Sequence, residues 1–214
     1  SLAFKSEQSS YLAGVAAAKQ TKSKTVGFIG GIHGDIIDTF EAGFKAGVKA
    51  TNPDIKVVTQ YADSFTDAAK GKTIAASMVA GGADVIFQAA GGTGSGVFAE
   101  AKATNQKLSD DSDKKVWVIG VDMDQKRDGD YKDKDNKQSN FTLVSAVKRV
   151  DNAVKSLSNK AKDGKFPGGQ TITYGLKENG VGVAKDSASS EVWSAIESAQ
   201  KKIISGDIKV PVHP

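Results

Sequence analysis

The stretch Asp84-Val-Ile-Phe-Gln-Ala-Ala-Gly-Gly-Thr-Gly-Ser-Gly96 constrains this chain more than any other. From Asp84 to Ala90 the only break in the apolar run is Gln88, which suits a strand buried on both faces. A glycine-rich turn follows from Gly91 to Gly96, and Val97-Phe-Ala-Glu-Ala101 then reads as helix. Strand, glycine turn, helix is where open α/β sheets take small polar ligands. The backbone there allows close approach, and the first N–H groups of the helix have no internal partners.

The other strands and helices fit around this unit. Thr25-Val-Gly-Phe-Ile-Gly30, Ile55 to Tyr61 and Val116-Trp-Val-Ile-Gly-Val121 read as strands. Ser9-Ser10 suits the N-cap of a helix carrying Tyr11, Leu12, Val15 and Ala18. Phe40, Phe44 and Val48 share a helix face that ends at Asn52-Pro53, and Asp67 opens a helix closed by Gly81-Gly82. Alternation at about thirty residues per unit predicts a parallel sheet with helices on both faces and right-handed crossovers. The carboxyl ends of the strands should then converge on one rim. They are Gly30-Gly31, Tyr61 to Phe65, Gly91 to Gly96 and Asp122-Met-Asp124.

Beyond Asp124 the pattern changes. Lys126 to Asn140 is dense in Lys, Asp and Gln and is expected to be a mobile surface loop. Val147, Val150, Val154, Leu157 and Ala161 form an apolar stripe expected on a helix from about Ala146 to Gly164. Thr171 to Gly175 and Val181 to Val183 read as strands, and Ser189 to Ile204 as the last helix, with Val192, Ile196 and Ile203 inward.

Composition removes several classes. The 214 residues include no cysteine, which rules out disulfides and thiolate metal sites. The net charge of +4 is spread through segments of mixed sign, as on a solvated face rather than a nucleic-acid groove. No apolar run approaches membrane-spanning length, and no signal-peptide pattern is present, so an exported parent would have been trimmed. The only histidines are His33, a rim or turn residue, and His213, which leaves almost no material for a Ser–His hydrolase or a histidine metal site. No acid–base or nucleophile–base pair can be named, so no enzyme is expected.

The motif-like segments fail on their spacing. Gly71-Lys72-Thr73 lacks the earlier P-loop glycine, since position 66 is Thr, and it lies within a helix. The third glycine of a dinucleotide fingerprint would fall on Val97. No EF-hand register fits Asp122 to Asp135, because Lys126, Lys132 and Lys137 occupy positions wanted for acids. Neither a cofactor nor a metal is therefore expected. Asp122, directly after an apolar strand, either accepts hydrogen bonds from vicinal hydroxyls of a ribose or other sugar, or caps its own turn. Phe65 either stacks on a planar ring or packs beneath its loop, and Lys148 either donates to a ligand oxygen or is an ordinary surface lysine.

Four blocks in order resemble the basic membrane protein (Bmp/Med) family of nucleoside-binding lipoproteins, substrate-binding components of ABC importers. They are Phe40-Glu-Ala-Gly-Phe44 with Ala46-Gly47, Asp63-Ser-Phe-Thr-Asp67 with Lys70-Gly-Lys72, Ala83 to Gly94, and Ile119-Gly-Val-Asp122. Ser145 to Asp151, Tyr174 to Glu178 and Ile203 to Pro211 extend the likeness over nearly the whole chain. The resemblance implies a type I periplasmic-binding-protein-like α/β fold of two lobes closing on a purine nucleoside. Phe65 would then stack on the base, Asp122 would hold the ribose hydroxyls, Gly91 and Gly92 would line the sugar pocket, and Lys148 would reach in from the hinge side. It further implies an ABC permease as partner and an extracellular location, with the membrane reached only through a lipid anchor elsewhere. An effector-sensing module of a regulator, or a sugar-binding protein, on the same fold is the alternative.

Against that family most of an N-terminal lobe is absent. The resemblance then implies that residues 1–124 form the second ligand-binding lobe and 125–145 a charged loop and hinge strand. Residues 146–168 would be a helix belonging to the first lobe, and 169–214 the return strands and C-terminal helix. The apolar stripe of the 146–168 segment is expected to dock on its own lobe or against a second copy in a dimer.

Overall fold

The computed structural model describes residues 1–214. Its centre is a six-stranded sheet. In chain order the strands are β2 (Thr25–Gly30), β3 (Lys56–Tyr61), β4 (Val85–Ala89), β5 (Trp117–Asp122), β8 (Thr142–Lys148) and β10 (Val181–Ala184). Across the sheet they run β10-β8-β5-β4-β2-β3, all parallel except β10, which pairs antiparallel with β8. No helix is long and apolar enough to cross a membrane.

Helices cover both faces, as the apolar strands require. The first face carries α1 (Ser6–Gln20), α2 (Asp35–Thr51) and α6 (Ser190–Ser205), packed over Phe28, Phe87 and Val144. The second carries α3 (Ala68–Ala80) and α4 (Gly94–Asn105) over Ile86, Val118 and Phe141. α1 and α2 touch backbone to backbone, because a Cβ on Gly43 or Gly47 would overlap the carbonyls of Glu7 and Tyr11. Asp67 caps α3 by accepting from the Lys70 N–H at 2.9 Å, and Gly206 ends α6 in the left-handed conformation.

Three expectations need correction. Ser9 and Ser10 are not N-cap residues but lie buried inside α1. Ser9 returns its hydroxyl to the Ser6 carbonyl, and Ser10 donates to the Phe40 carbonyl of α2. Lys126 to Asn140 is not a loose loop but a 3₁₀ turn followed by a hairpin, β6 (Asp130–Lys132) with β7 (Gln138–Asn140). The Asp133 carboxylate accepts from the N–H groups of Asp110, Asp135 and Lys137, and Tyr131 is buried against Phe141. Finally, Ala146 to Lys148 complete β8, and the helix α5 begins only at Val150 and runs to Lys162.

β1 (Leu2–Phe4) pairs in parallel with β9 (Ile172–Tyr174) in a separate two-stranded sheet, beside which α5 is poorly covered. Val150 and Val154 are 49% and 51% exposed, and Ala153 is the one buried residue of the helix. The stripe therefore does not dock on the chain's own lobe. The sequence pattern misled at this point because Val147 belongs to the strand before the helix.

Candidate functional site

The sheet's order reverses at β2. β3 lies on one side of it and β4 on the other, so the loops after β2 and β4 diverge at their carboxyl ends. Open α/β sheets bind ligands in such a crevice. Phe65, on the loop after β3, folds back over this point. Its ring lies against Gly31, where a Cβ would collide with it, and its carbonyl and Cβ lie against Gly91, which has a left-handed φ of 56°. The residue is 40% exposed, so it is neither a core residue nor a fully free one.

Thr93 holds this arrangement. Its hydroxyl donates to the Ser64 carbonyl and accepts from the Asp67 N–H, both at 3.0 Å, while its own N–H donates to the Phe65 carbonyl at 3.2 Å. The aromatic loop and the glycine turn thus form one unit. Thr93 was not a sequence candidate, because a threonine among glycines carries no signal of its own.

Asp122 ends β5, and Lys148 ends β8 on the neighbouring strand. Lys148 Nζ lies 3.0 Å from Asp122 Oδ1, so the pair occupies one place on the rim. Asp122 adopts a φ of 64°, a left-handed conformation that costs a non-glycine residue about 1–3 kcal/mol. The Met123 N–H donates back to the Val121 carbonyl at 2.7 Å and closes the turn tightly. The Asp122 carboxylate caps no N–H and is instead paired with Lys148, half-exposed, at a hollow of about 400 Å³. Lys148 Nζ also lies 5.6 Å from the Phe40 ring centroid.

The predicted residues therefore form two groups. Phe65, Gly91 and Gly92 are in contact, and Asp122 and Lys148 are in contact. Gly91 and Gly92 line a second hollow of about 430 Å³ with Gln125 and Asp128. The Phe65 ring lies against the residues that follow β2 and β4, and β4 adjoins β5, so the two groups stand at neighbouring strand ends of one edge.

Further residues of this edge were not named as ligand-contacting candidates from the sequence, although Tyr61 and His33 were placed on the rim. Tyr61 donates to Glu41 at 2.6 Å and Asp38 at 3.1 Å, and stacks on His33 with ring centroids 3.4 Å apart. Burial, and then the two acids, push its phenol above the ordinary range. Behind Asp122, the Ser145 hydroxyl donates to Asp186 at 2.7 Å. Burial raises the Asp186 carboxyl to about 7, with Asp124 beside it adding to the rise.

A lobe of a type I binding protein, carrying its ligand edge on the carboxyl ends of a parallel sheet, is the class that this fold and rim define. Solved structures agree. A solute-binding protein of an ABC transporter system from Aeropyrum pernix K1 superposes with a TM-score of 0.80 at 25% identity, covering 99% of this chain and 66% of that one. The family model described as "ABC transporter substrate-binding protein PnrA-like" matches residues 1–213, and the chain belongs to this family, Bmp. Its members are substrate-binding components rather than enzymes. Among curated relatives, the "ABC transporter nucleoside-binding protein BmpA" of Lactococcus lactis subsp. cremoris is 56% identical over 211 residues, 99% of this chain and 60% of its own. The "CD4+ T-cell-stimulating antigen" of Listeria monocytogenes is 51% identical, over 100% of this chain and 60% of its own. The chain thus spans about 60% of the length of these relatives.

Proposed function

We propose that the chain carries one side of a purine-nucleoside site in the substrate-binding component of an ABC importer. The observation that carries this reading is the Asp122–Lys148 pair, 3.0 Å apart on the same carboxyl edge of the sheet that the half-exposed Phe65 ring overlies. Asp122 accepts from the ribose hydroxyls, Lys148 donates to a ligand oxygen and fixes the carboxylate, and Gly91 and Gly92 let the sugar approach the backbone. Phe65 offers its open face to the base. The relative from Lactococcus lactis, whose name includes nucleoside binding, supports the ligand class.

In this reading the six-stranded sheet is one lobe. α5 belongs to a second, as expected from the sequence. β1 and β9, which pair outside the six-stranded sheet, move to it from the 1–124 lobe and the 169–214 return segment. That second lobe is completed by sequence beyond the 60% shared with the relatives. Closure of the two lobes buries the ligand and presents a shape that a permease recognises. A lipid anchor outside this chain holds the protein on the extracellular face of the membrane. The uncovered stripe of α5 then packs within the longer protein rather than in a dimer of this chain.

The test is calorimetric titration of the full-length protein with guanosine, adenosine and ribose, repeated on Asp122→Ala. Nucleoside binding lost in the variant is expected. Heat from ribose alone would move the ligand to a free sugar, and no heat from any of the three would refute the nucleoside reading.

A further inference from the structure

Gln88 is the one polar residue in the apolar run of β4, and it is only 1% exposed. An amide there must find partners inside the protein. Its Nε2 donates to Gln125 Oε1 at 2.8 Å, and its Oε1 accepts from the Ala90 N–H at 3.3 Å. The same Gln125 Oε1 accepts from the Val121 N–H at 2.8 Å, directly before the left-handed Asp122. The Gln125 backbone N–H donates to Ser145, and its Nε2 to Asp128 at 2.9 Å. The pair thus spans from the strand that launches the glycine turn to the turn that carries Asp122.

Space is reserved for this bridge. A Cβ on Gly94, the first residue of α4, would overlap the Gln88 amide, and one on Gly120 would press on both Ser145 and Gln125. A left-handed aspartate carries a modest backbone cost, and the Val121 N–H beside Asp122 is tied to the Gln125 side chain in addition to the local turn bond from Met123.

We propose that the Gln88–Gln125 bridge positions Asp122 for the sugar hydroxyls, by holding its strained turn in register with the glycine turn. Both glutamines are positioning residues. The inference rests on the nucleoside reading for its ligand arm, while its backbone arm needs no ligand.

The experiment uses the full-length protein and the variants Gln88→Met, Gln125→Met and the two combined. For the ligand arm, affinities are measured for guanosine and for 2′,3′-dideoxyguanosine, which lacks the vicinal hydroxyls. Loss of the bridge should reduce the preference for guanosine roughly tenfold, the worth of one well-made polar contact, with little change for the dideoxy compound. The double variant should lose no more than the worse single one, because the residues act as a unit.

Gln125→Glu combined with Asp128→Asn keeps the acceptor for Val121 and Gln88, and should retain the preference. For the backbone arm, hydrogen exchange of the Val121 amide should accelerate about tenfold or more in Gln88→Met while Phe87 stays protected. Wild-type preference and unchanged Val121 exchange would overturn the proposal. If the unaltered protein binds no guanosine, the nucleoside reading fails and the exchange of Val121 alone decides whether the bridge holds the turn.

Discussion

Asp186 is the least comfortable charged group of the lobe, and replacing it with asparagine should stabilise the protein at neutral and alkaline pH. The residue is 9% exposed, accepts from Ser145 on one carboxyl oxygen, and has no partner on the other. Burial, and then the neighbouring Asp124, raise it from 3.8 to about 7. The native state therefore keeps a proton between about pH 4 and 7 that the unfolded chain has released. Stability from this group is full at the acid end and falls as pH rises through that window. The full shift would correspond to about 4 kcal/mol at pH 8, and solvent screening reduces this to about 1–2 kcal/mol. The asparagine amide of the Asp186→Asn variant has no charge to bury, still accepts from Ser145, and can donate an N–H toward Asp124. Urea unfolding at pH 4, 6 and 8 should show Asp186→Asn level with the unaltered protein at pH 4. At pH 8 it should be about 1–2 kcal/mol more stable. Parallel pH dependences, or a less stable variant at pH 8, would refute the reasoning.

Two further outcomes follow from the site and from the uncovered helix. Thr93→Val removes the hydroxyl that joins Ser64 to Asp67 and should cost about 1–2 kcal/mol, with faster amide exchange from Phe65 to Asp67. Thr93→Ser should restore both, and an unchanged loop in Thr93→Val would show that the glycine turn alone holds it. Val154→Asp, on the open face of α5, should shift the stability of the 214-residue chain by no more than about 0.5 kcal/mol in thermal unfolding. In the longer protein the same change should cost more than about 1 kcal/mol, because the charge then meets a packed face. Equal costs in the two would mean that the stripe stays in water.

What could be read from the sequence follows from how local each signal is. A strand buried on both faces announces itself through its own residues, so Thr25–Gly30, Val85–Ala89 and Trp117–Asp122 were legible, as were the loops that follow them. Their carboxyl ends share an edge by topology, which put Phe65, Gly91, Gly92 and Asp122 on one rim, whereas their ligand roles and the choice of Lys148 rested on the family resemblance. The structure joins them as two contacting groups, and the titration tests whether both meet one ligand. The misread start of α5 came from an apolar residue of the preceding strand, Val147, whereas the other two misreadings share one cause: polar side chains whose partners the local pattern does not reveal. Ser10 looked like a cap until Phe40 supplied its acceptor, thirty positions on. The charged stretch after Asp124 looked solvated, although Asp133 gathers three N–H groups, one of them from Asp110, and folds the stretch into a hairpin. Gln88 carried a visible signal, a lone amide in an apolar strand, but its partner Gln125 sits in the least regular part of the sequence. A buried polar residue in an otherwise apolar strand implies a specific partner, because leaving its donor and acceptor unmet costs about 1–3 kcal/mol. In this chain the partner proves to be the residue that braces the Asp122 turn.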